Sequence, residues 1–403
     1  MRRLGGCRAG EMRITRFLHN RRVTTDEMMA SAYARTSARA AGRQVLAIQD
    51  TTSLRLDEQG VGLSLHPVLA VDAADGAVLG LIDAVFLRHE GGARGTQKSR
   101  PFEEKESRRW LDGARSASRL LAAGAASVTV VEDREGDVYE VFASRPEGVS
   151  MLVRAAQDRR LSGGGLLFET GQAWPEAGRM TVALAAAPGR KPRQAVIGVR
   201  YGEVEIERPA NRGSASELAA SLRLSLVVAE EIDPPKGLAP ASWFLLATEK
   251  VQTLADATRT IGLYRMRWVI EQLFRTIKTK GFDVEALRQT PGGPLEKLTA
   301  AILVAGVSVM QLVAERDGAA SRPSSDVLEA GDQAVLERIC RSLEGDTAKQ
   351  KNPHPPGSLA YAAWVFARLG GWTGYYGKPG HVVILRGITQ FQAIKLGMNL
   401  RDV

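Results

Sequence analysis

Apolar positions along the chain fall into short runs and longer periodic stretches, and together they predict an α/β fold. Val45-Leu46-Ala47-Ile48 is a short apolar run that leads into Gln49-Asp50. Val68 to Asp72 and Val78 to Leu87 are two more strand-like runs, with Ala73-Ala74-Asp75-Gly76 as a tight turn between them. Glu103 to Ala123 reads as a charged helix, Ser127 to Glu132 as a fourth strand followed by Asp133, and Met151 to Ala155 as a fifth. The order is β-β-β-α-β-α-β. Three meandering antiparallel strands followed by a helical crossover can place strand four beside strand one and parallel to it. The C-terminal ends of those two strands, with Asp50 and Asp133, then lie side by side. Ligands of open α/β sheets bind at such strand ends.

The flanking regions differ in character. Residues 1–43 are basic, polar and Ala-rich, with a helix expected from Thr25 to Arg39. Residues 161–250 alternate short strand-like runs with Gly163-Gly164-Gly165, the basic Pro188-Gly189-Arg190-Lys191-Pro192-Arg193 and Asp233-Pro234-Pro235-Lys236-Gly237, and read as a β-rich insertion. Leu254 to Lys280 reads as one long helix and Leu295 to Arg316 as another. The longest apolar run, Leu298 to Val313, is interrupted by Thr299, Ser308 and Gln311 and is short for a bilayer span, so a buried helix is expected. Residues 318–357 are polar loop plus helix, and residues 358–403 close with a helix and Gly-rich turns. The division that follows is 1–43, 44–160, 161–250, 251–318 and 319–403.

The stretch from Leu263 to Lys278 has a two-faced pattern. At about 100° per residue, Arg267, Glu271, Arg275 and Lys278 fall within roughly 60° of Tyr264. Met266, Val269, Ile270, Leu273 and Ile277 cluster on the opposite side. A plain amphipathic surface helix has this pattern. So does a carboxylate flanked by cations that grip a nucleic-acid backbone, with Tyr264 donating to a phosphate and Trp268 stacking on a base.

Composition narrows the choice only slightly. Lys plus Arg number 54 against 45 Asp plus Glu, a net charge of +9 that favours an anionic partner such as nucleic acid. Cys7 and Cys340 are the only thiols, which excludes a disulfide framework and a Cys-based zinc site. Five scattered histidines show no ligand spacing. Met1 to Gly10 contain no apolar leader, so a soluble cytoplasmic protein with no membrane partner is expected. Asp50, Asp133 and Glu271 are hard oxygen donors suited to Mg²⁺ or Mn²⁺, and a two-metal site of that kind performs phosphodiester chemistry.

The spacing Tyr264-x2-Arg267-x3-Glu271-x6-Lys278 resembles the Tyr-Arg-Glu-Lys signature of bacterial insertion-sequence transposases of the DDE class. Gln49-Asp50-Thr51-Thr52 resembles the family's first-aspartate motif and Asp133-Arg134-Glu135-Gly136-Asp137 its second. Ala229 to Gly237 and Leu369-Gly370-Gly371-Trp372 are also similar to family segments, so the likeness runs from about residue 11 to 400. The resemblance implies an RNase H-like core, a mixed five-stranded sheet flanked by helices, with a β-rich insertion and a helical C-terminal region. It implies Mg²⁺-dependent cut-and-paste chemistry on inverted-repeat DNA ends. Water nicks the end, the freed 3′ hydroxyl attacks the opposite strand to make a hairpin, and the reopened end attacks target DNA.

Carried over residue by residue, the resemblance makes Asp50, Asp133 and Glu271 the metal ligands. It makes Tyr264, Arg267 and Lys278 phosphate contacts. Trp243, 21 residues before Tyr264, resembles the tryptophan that stacks on a flipped base, and a strand tryptophan in the core has the same sequence context. Trp268, Arg154, Arg275, Arg190 and Lys191 are further candidate DNA contacts, with surface charge the plainer reading of the basic loop. A homodimer on double-stranded DNA, nucleoid-associated when bound, is implied, with residues 319–403 as the candidate partner surface.

Family members usually carry a helical end-binding domain ahead of the first catalytic strand. Here about 43 residues precede that strand, and Arg16 to Val23 resemble the tail of such a domain. That leaves a second expectation beside the enzyme: a short regulator that binds DNA or dimerises with full-length transposase without moving the element.

Overall fold

The computed structural model describes residues 7–56, 61–90, 102–184, 191–210, 217–287 and 293–399. Ten strands form one mixed sheet: β1 (Gln44–Gln49), β2 (Thr52–Leu56), β3 (Val61–Asp72), β4 (Val78–Glu90), β5 (Ser127–Glu132), β6 (Val149–Arg154), β7 (Gly178–Leu184), β8 (Arg193–Glu207), β9 (Ser221–Glu231) and β10 (Ser242–Ala247). The order is β2-β3-β1-β5-β6-β10-β9-β8-β7, with β4 on the other side of β3. β1, β5 and β6 run parallel to one another, and β3 is antiparallel to β1. The expected pairing of strands one and four is therefore present.

Alternation along β1 shows why it is central. Val45 and Ala47 join one apolar layer, while Leu46 and Ile48 join the other. A strand buried on both faces needs a continuous apolar run rather than an alternating one. The first layer is covered by α3 (Arg108–Ala122) through Trp110, Leu111, Ala114 and Leu120, and by α4 (Tyr139–Ala143). The second is covered by α6 (Leu254–Arg265), α7 (Trp268–Thr279) and α8 (Gly293–Glu315). A short α5 (Leu167–Ala173) packs on β8 and β9.

Three expectations change, and the place of the insertion becomes defined. The β-rich insertion is continuous with the core sheet, because β10 pairs antiparallel with β6. The strand β2 was not anticipated; its polar Thr52-Ser53 start hides the period. The single helix from Leu254 to Lys280 is broken between Arg265 and Trp268. The C-terminal end holds two helices, α10 (Leu359–Leu369) and α11 (His381–Asn399), rather than one. Residues 319–357 contain α9 (Asp332–Leu343) with short turns, as expected.

The N-terminal helices are tied to this frame. In α2 (Thr25–Ala40), the Thr24 side chain accepts the Glu27 backbone N–H at 3.1 Å, an N-cap that satisfies one orphan donor. In α1 (Arg8–His19), the C-terminal end is met by Lys297, whose Nζ donates to the carbonyls of Leu18 (3.0 Å) and Asn20 (2.6 Å). A cation at a helix C-terminus complements the negative end of the dipole. The helix α8 is long and apolar enough to cross a membrane by composition, but 67% of its apolar window is buried against the sheet and its neighbours. Its far end enters a third apolar cluster with α9, α10 and α11.

That C-terminal cluster depends on one close approach. A Cβ at Gly387 in α11 would fall 1.8 Å from the carbonyl oxygen of Phe366 in α10. Helix propensity alone favours Gly→Ala by about 1 kcal/mol. The backbone clash reverses that sign, so Gly387→Ala is expected to destabilise by roughly 1–3 kcal/mol in a denaturant titration. A stabilised variant would show that the two helices do not touch as described.

Candidate active site

β1 and β5 pair in register, Ile48 opposite Val131, so Asp50 and Asp133 leave the sheet at the same edge. Asp50 is buried, at 7% exposure. Its Oδ1 accepts the Thr51 backbone N–H at 2.7 Å. Asp133 is half-buried and its Oδ1 accepts the Glu135 backbone N–H at 2.8 Å, opening a short turn over Arg134–Gly136. Burial, and then the charge of Asp133, push the Asp50 carboxyl up to about 6; the pull of Arg267 and of the Thr51 N–H works against them.

The Glu helix reaches these strand ends through the break between α6 and α7. Met266, Arg267, Val269 and Ile270 each donate to the carbonyl three residues back, at 3.0–3.1 Å. Such bonds tighten the coil to about 3.0 residues per turn, so the 100° count fails across the junction. Neither Gly nor Pro marks the spot, which is why the periodicity reads straight through it. The consequence is that Tyr264 is buried in the core and does not stand in one solvent-facing row with Arg267 and Glu271. Arg267 donates from Nη1 to Asp50 Oδ2 at 2.8 Å, and its Nη2 lies 3.5 Å from Glu271 Oε1. Glu271 sits in the first turn of α7, where a negative charge meets the positive end of the helix dipole. One guanidinium thus bridges two of the three carboxylates.

Beside this cluster lies a groove of about 1030 Å³. Arg134, Arg154, Arg265 and Arg267 line it, with Trp243, Tyr264, Trp268, Phe168 and Phe244, and no acidic side chain does among the described residues. Trp268 is 54% exposed and stands with the Arg267 guanidinium 5.9 Å from its ring centre. Trp243 is half-buried on β10 with one side toward the groove. Arg154 donates to the Ser242 carbonyl at 2.8 Å, which fixes it to the groove wall. Burial pushes the Tyr264 phenol above its usual value, and the charges of Arg267 and Arg154 pull it back.

The other sequence candidates are placed differently. Lys278 donates to the Ser53 carbonyl at 2.7 Å and pairs with Glu285 at 2.8 Å, so it ties α7 to β2. Arg275 is exposed and does not line the groove; its charge is felt at His381, toward the C-terminal helices. Lys191 is exposed beside the outer strands, away from the groove lining, and Arg193 is paired with Glu231. Arg190 lies outside the described residues.

Sequence reasoning missed what lies beneath the strand ends. The Gln49 side-chain amide donates to the Trp110 carbonyl at 3.0 Å and to Glu132 Oε1, while its Oε1 lies 3.0 Å from His66 Nε2. An amide oxygen only accepts, so Nε2 is the protonated ring nitrogen of a neutral His66. Its Nδ1 then accepts from Thr51 Oγ1 at 2.9 Å, and Thr51 accepts from Arg109 Nε at 2.9 Å. Burial, with Arg109 adding to it, pushes His66 down to about 3, and burial pushes Glu132 well up. His66 is therefore neutral in the folded protein near pH 7, and burial works against ionisation of Glu132. Gln49, Thr51 and Glu132 border the two aspartates in the chain, but polar residues at the end of an apolar run read as strand ends, not as a network, and His66, Arg109 and Trp110 are distant in sequence.

No protein-family model matches the sequence. Among the described residues, no three His, Cys, Asp or Glu side chains already stand close enough to share a metal ion. The donor chemistry nonetheless suits a hard cation, because Asp50 is crowded by Asp133 and Glu271 and answered by one guanidinium. A cation at the carboxylates requires Arg267 to loosen its hold on Asp50.

The raised carboxyl has a thermodynamic consequence. Because the folded value of Asp50 lies above 3.8, its contribution to stability is complete below that pH and is lost as the pH rises through about 6. Asp50→Asn cannot ionise, so it should gain roughly 3 kcal/mol on the wild type across this window. Urea unfolding at about pH 4 and pH 7 measures the difference. A wild type that instead gains on the variant would mean that the Arg267 pair outweighs the crowding.

Proposed function

We propose that the protein is a DNA transposase of the DDE class, cleaving and joining phosphodiesters at inverted-repeat ends of an insertion sequence. The observation that supports this most is the meeting of three separated motifs. Parallel pairing of β1 and β5 brings Asp50 to Asp133, and Arg267 of the Tyr-Arg-Glu-Lys segment bonds to Asp50. The antiparallel β4-β3-β1 set followed by parallel β5 and β6 supports the five-stranded RNase H-like core that the resemblance implies.

Asp50, Asp133 and Glu271 would hold Mg²⁺, with Mn²⁺ as a substitute. When bound, such ions lower the pKa of an attacking water or hydroxyl and neutralise charge on the leaving oxygen. The chain's own residues do the rest. Arg267, released from Asp50, is placed to bind a phosphate at the cleaved end, and bidentate geometry suits guanidinium to that task. Arg134, Arg154 and Arg265 give the groove a cationic wall for the backbone on either side. Trp243 and Trp268 offer ring faces to a base unstacked at a strained end, where stacking returns about 1–3 kcal/mol. Lys278 holds α7, and therefore Glu271, against the strand that follows Asp50. A homodimer on double-stranded DNA belongs to this proposal.

Purified protein with Mg²⁺ and linear DNA carrying the inverted repeats that flank its coding sequence should yield nicked or hairpin ends. Glu271→Ala should reduce that product at least about 1000-fold while still binding DNA. DNA bound by the wild type without any cleavage would overturn the enzyme and favour the regulator.

A further inference from the structure

A second basic surface lies away from the groove. Residues of the C-terminal helical region enclose a pocket of about 510 Å³ lined by Arg316, Lys349, Lys351, Lys378, Trp372 and Tyr375. Asp317 is the only acid among its described lining residues, and Lys378 neutralises it at 2.7 Å. Lys349 and Lys351 are exposed and have no ion pair among the described residues. The Arg316 Nη1 donates to the Pro379 carbonyl at 3.4 Å, while its Nε is buried without a partner among the described residues.

This pocket is joined to the Glu271 helix by further cations. Arg275 and Lys280, at the end of α7, are exposed and likewise without an ion pair among the described residues. The end of α7 abuts the start of α11: a Cβ at Gly281, the residue after Lys280, would fall 3.0 Å from Leu385 and 3.9 Å from Val382. Burial and the charges of Lys280, Arg316 and Arg275 hold His381, the first residue of α11, below its usual value, and Arg316 shares the pocket lining with Lys349 and Lys351. We take these cations as a strip: Arg275 and Lys280, then Arg316, then Lys349 and Lys351. A compact anion calls for donors that converge on one point. Exposed cations spread along a surface suit a polyanion of regular charge spacing. Tyr375 and Tyr376, at 56% and 86% exposure, add hydroxyl donors of the kind that contact backbone phosphates.

We propose that this strip binds the sugar–phosphate backbone of double-stranded DNA, extending the contact from the active-site groove along α7 to the C-terminal pocket. The proposal rests on the transposase reading for its choice of polyanion, but its test does not require cleavage.

The test is fluorescence anisotropy of a labelled duplex with the full chain, in EDTA, across a range of KCl concentrations. Each lost phosphate contact lowers the slope of log K against log salt by about 1. Lys349→Ala/Lys351→Ala and Arg275→Ala/Lys280→Ala should each reduce the slope by about 2, with unchanged circular dichroism and melting temperature. Trp243→Ala/Trp268→Ala serves as the groove control. Wild-type slopes in both strip variants, with binding lost only in the groove variant, would overturn the strip and leave the active-site reading standing. Reduced slopes with no cleavage of inverted-repeat DNA would support the strip and count against the enzyme. Phosphatidylserine vesicles that bind more tightly than DNA, with the same dependence on Lys349 and Lys351, would assign the strip to a lipid surface and overturn the proposal.

Discussion

Like charges at the ends of two adjacent parallel strands are the constraint around which this molecule is arranged. Asp50 and Asp133 are brought together by β1 and β5, and Asp50 is buried there. Two carboxylates brought together in this way repel one another and favour a positive partner, and Arg267 supplies it at 2.8 Å. The tight turn between α6 and α7, the burial of Tyr264 and the anchoring of Lys278 to the Ser53 carbonyl all hold that guanidinium and Glu271 in place. The same arrangement explains why the carboxylates are suited to a divalent cation, since a doubly charged ion answers the crowding better than one guanidinium.

Beneath the charged residues the protein turns neutral. Gln49, His66 and Glu132 are fully buried side by side, and burial keeps the imidazole unprotonated and pushes the carboxyl well above its usual value. A charged Glu132 next to Asp133 would add a further repulsion in a dry interior. The hydrogen-bond chain through Thr51 fixes the residue after Asp50, and the Cβ-free Gly113 and Gly136 leave room for it. A Cβ at either would come within about 2 Å of the Gln49 or Glu132 side-chain oxygen, at 2.0 and 2.1 Å respectively. Rigid support of this kind holds a reactive constellation to its geometry.

Much of the core was legible in the chain. The apolar run Val45 to Ile48 and the run Ser127 to Glu132 identified strands whose ends carry Asp50 and Asp133, and handedness rules made them neighbours. The parts that were not legible share a cause: tertiary contacts overrode local pattern. The helix break at Met266 and Arg267 has no Gly or Pro, and it exists because Tyr264 packs inward while Arg267 reaches Asp50. Gly and Pro punctuate the insertion and hide where its strands pair, and backbone pairing of β10 with β6 joins it to the core sheet. Arg193 and Arg275 read alike as free cations; one is taken by Glu231 and the other faces the C-terminal helices. Charge counting along a sequence does not reveal which cations already have partners.

The central claim is that Asp50, Asp133 and Glu271 form one cation site in which Arg267 and a divalent metal compete. Mn²⁺ binding to the full chain, followed by electron paramagnetic resonance near neutral pH, tests it without any DNA substrate. Bound Mn²⁺ is expected, with an affinity that falls at least about 10-fold in Asp50→Asn and again in Glu271→Gln, as loss of a ligand demands. Arg267→Gln should bind Mn²⁺ at least as tightly as the wild type. Equal Mn²⁺ binding by wild type and Asp50→Asn would contradict the claim.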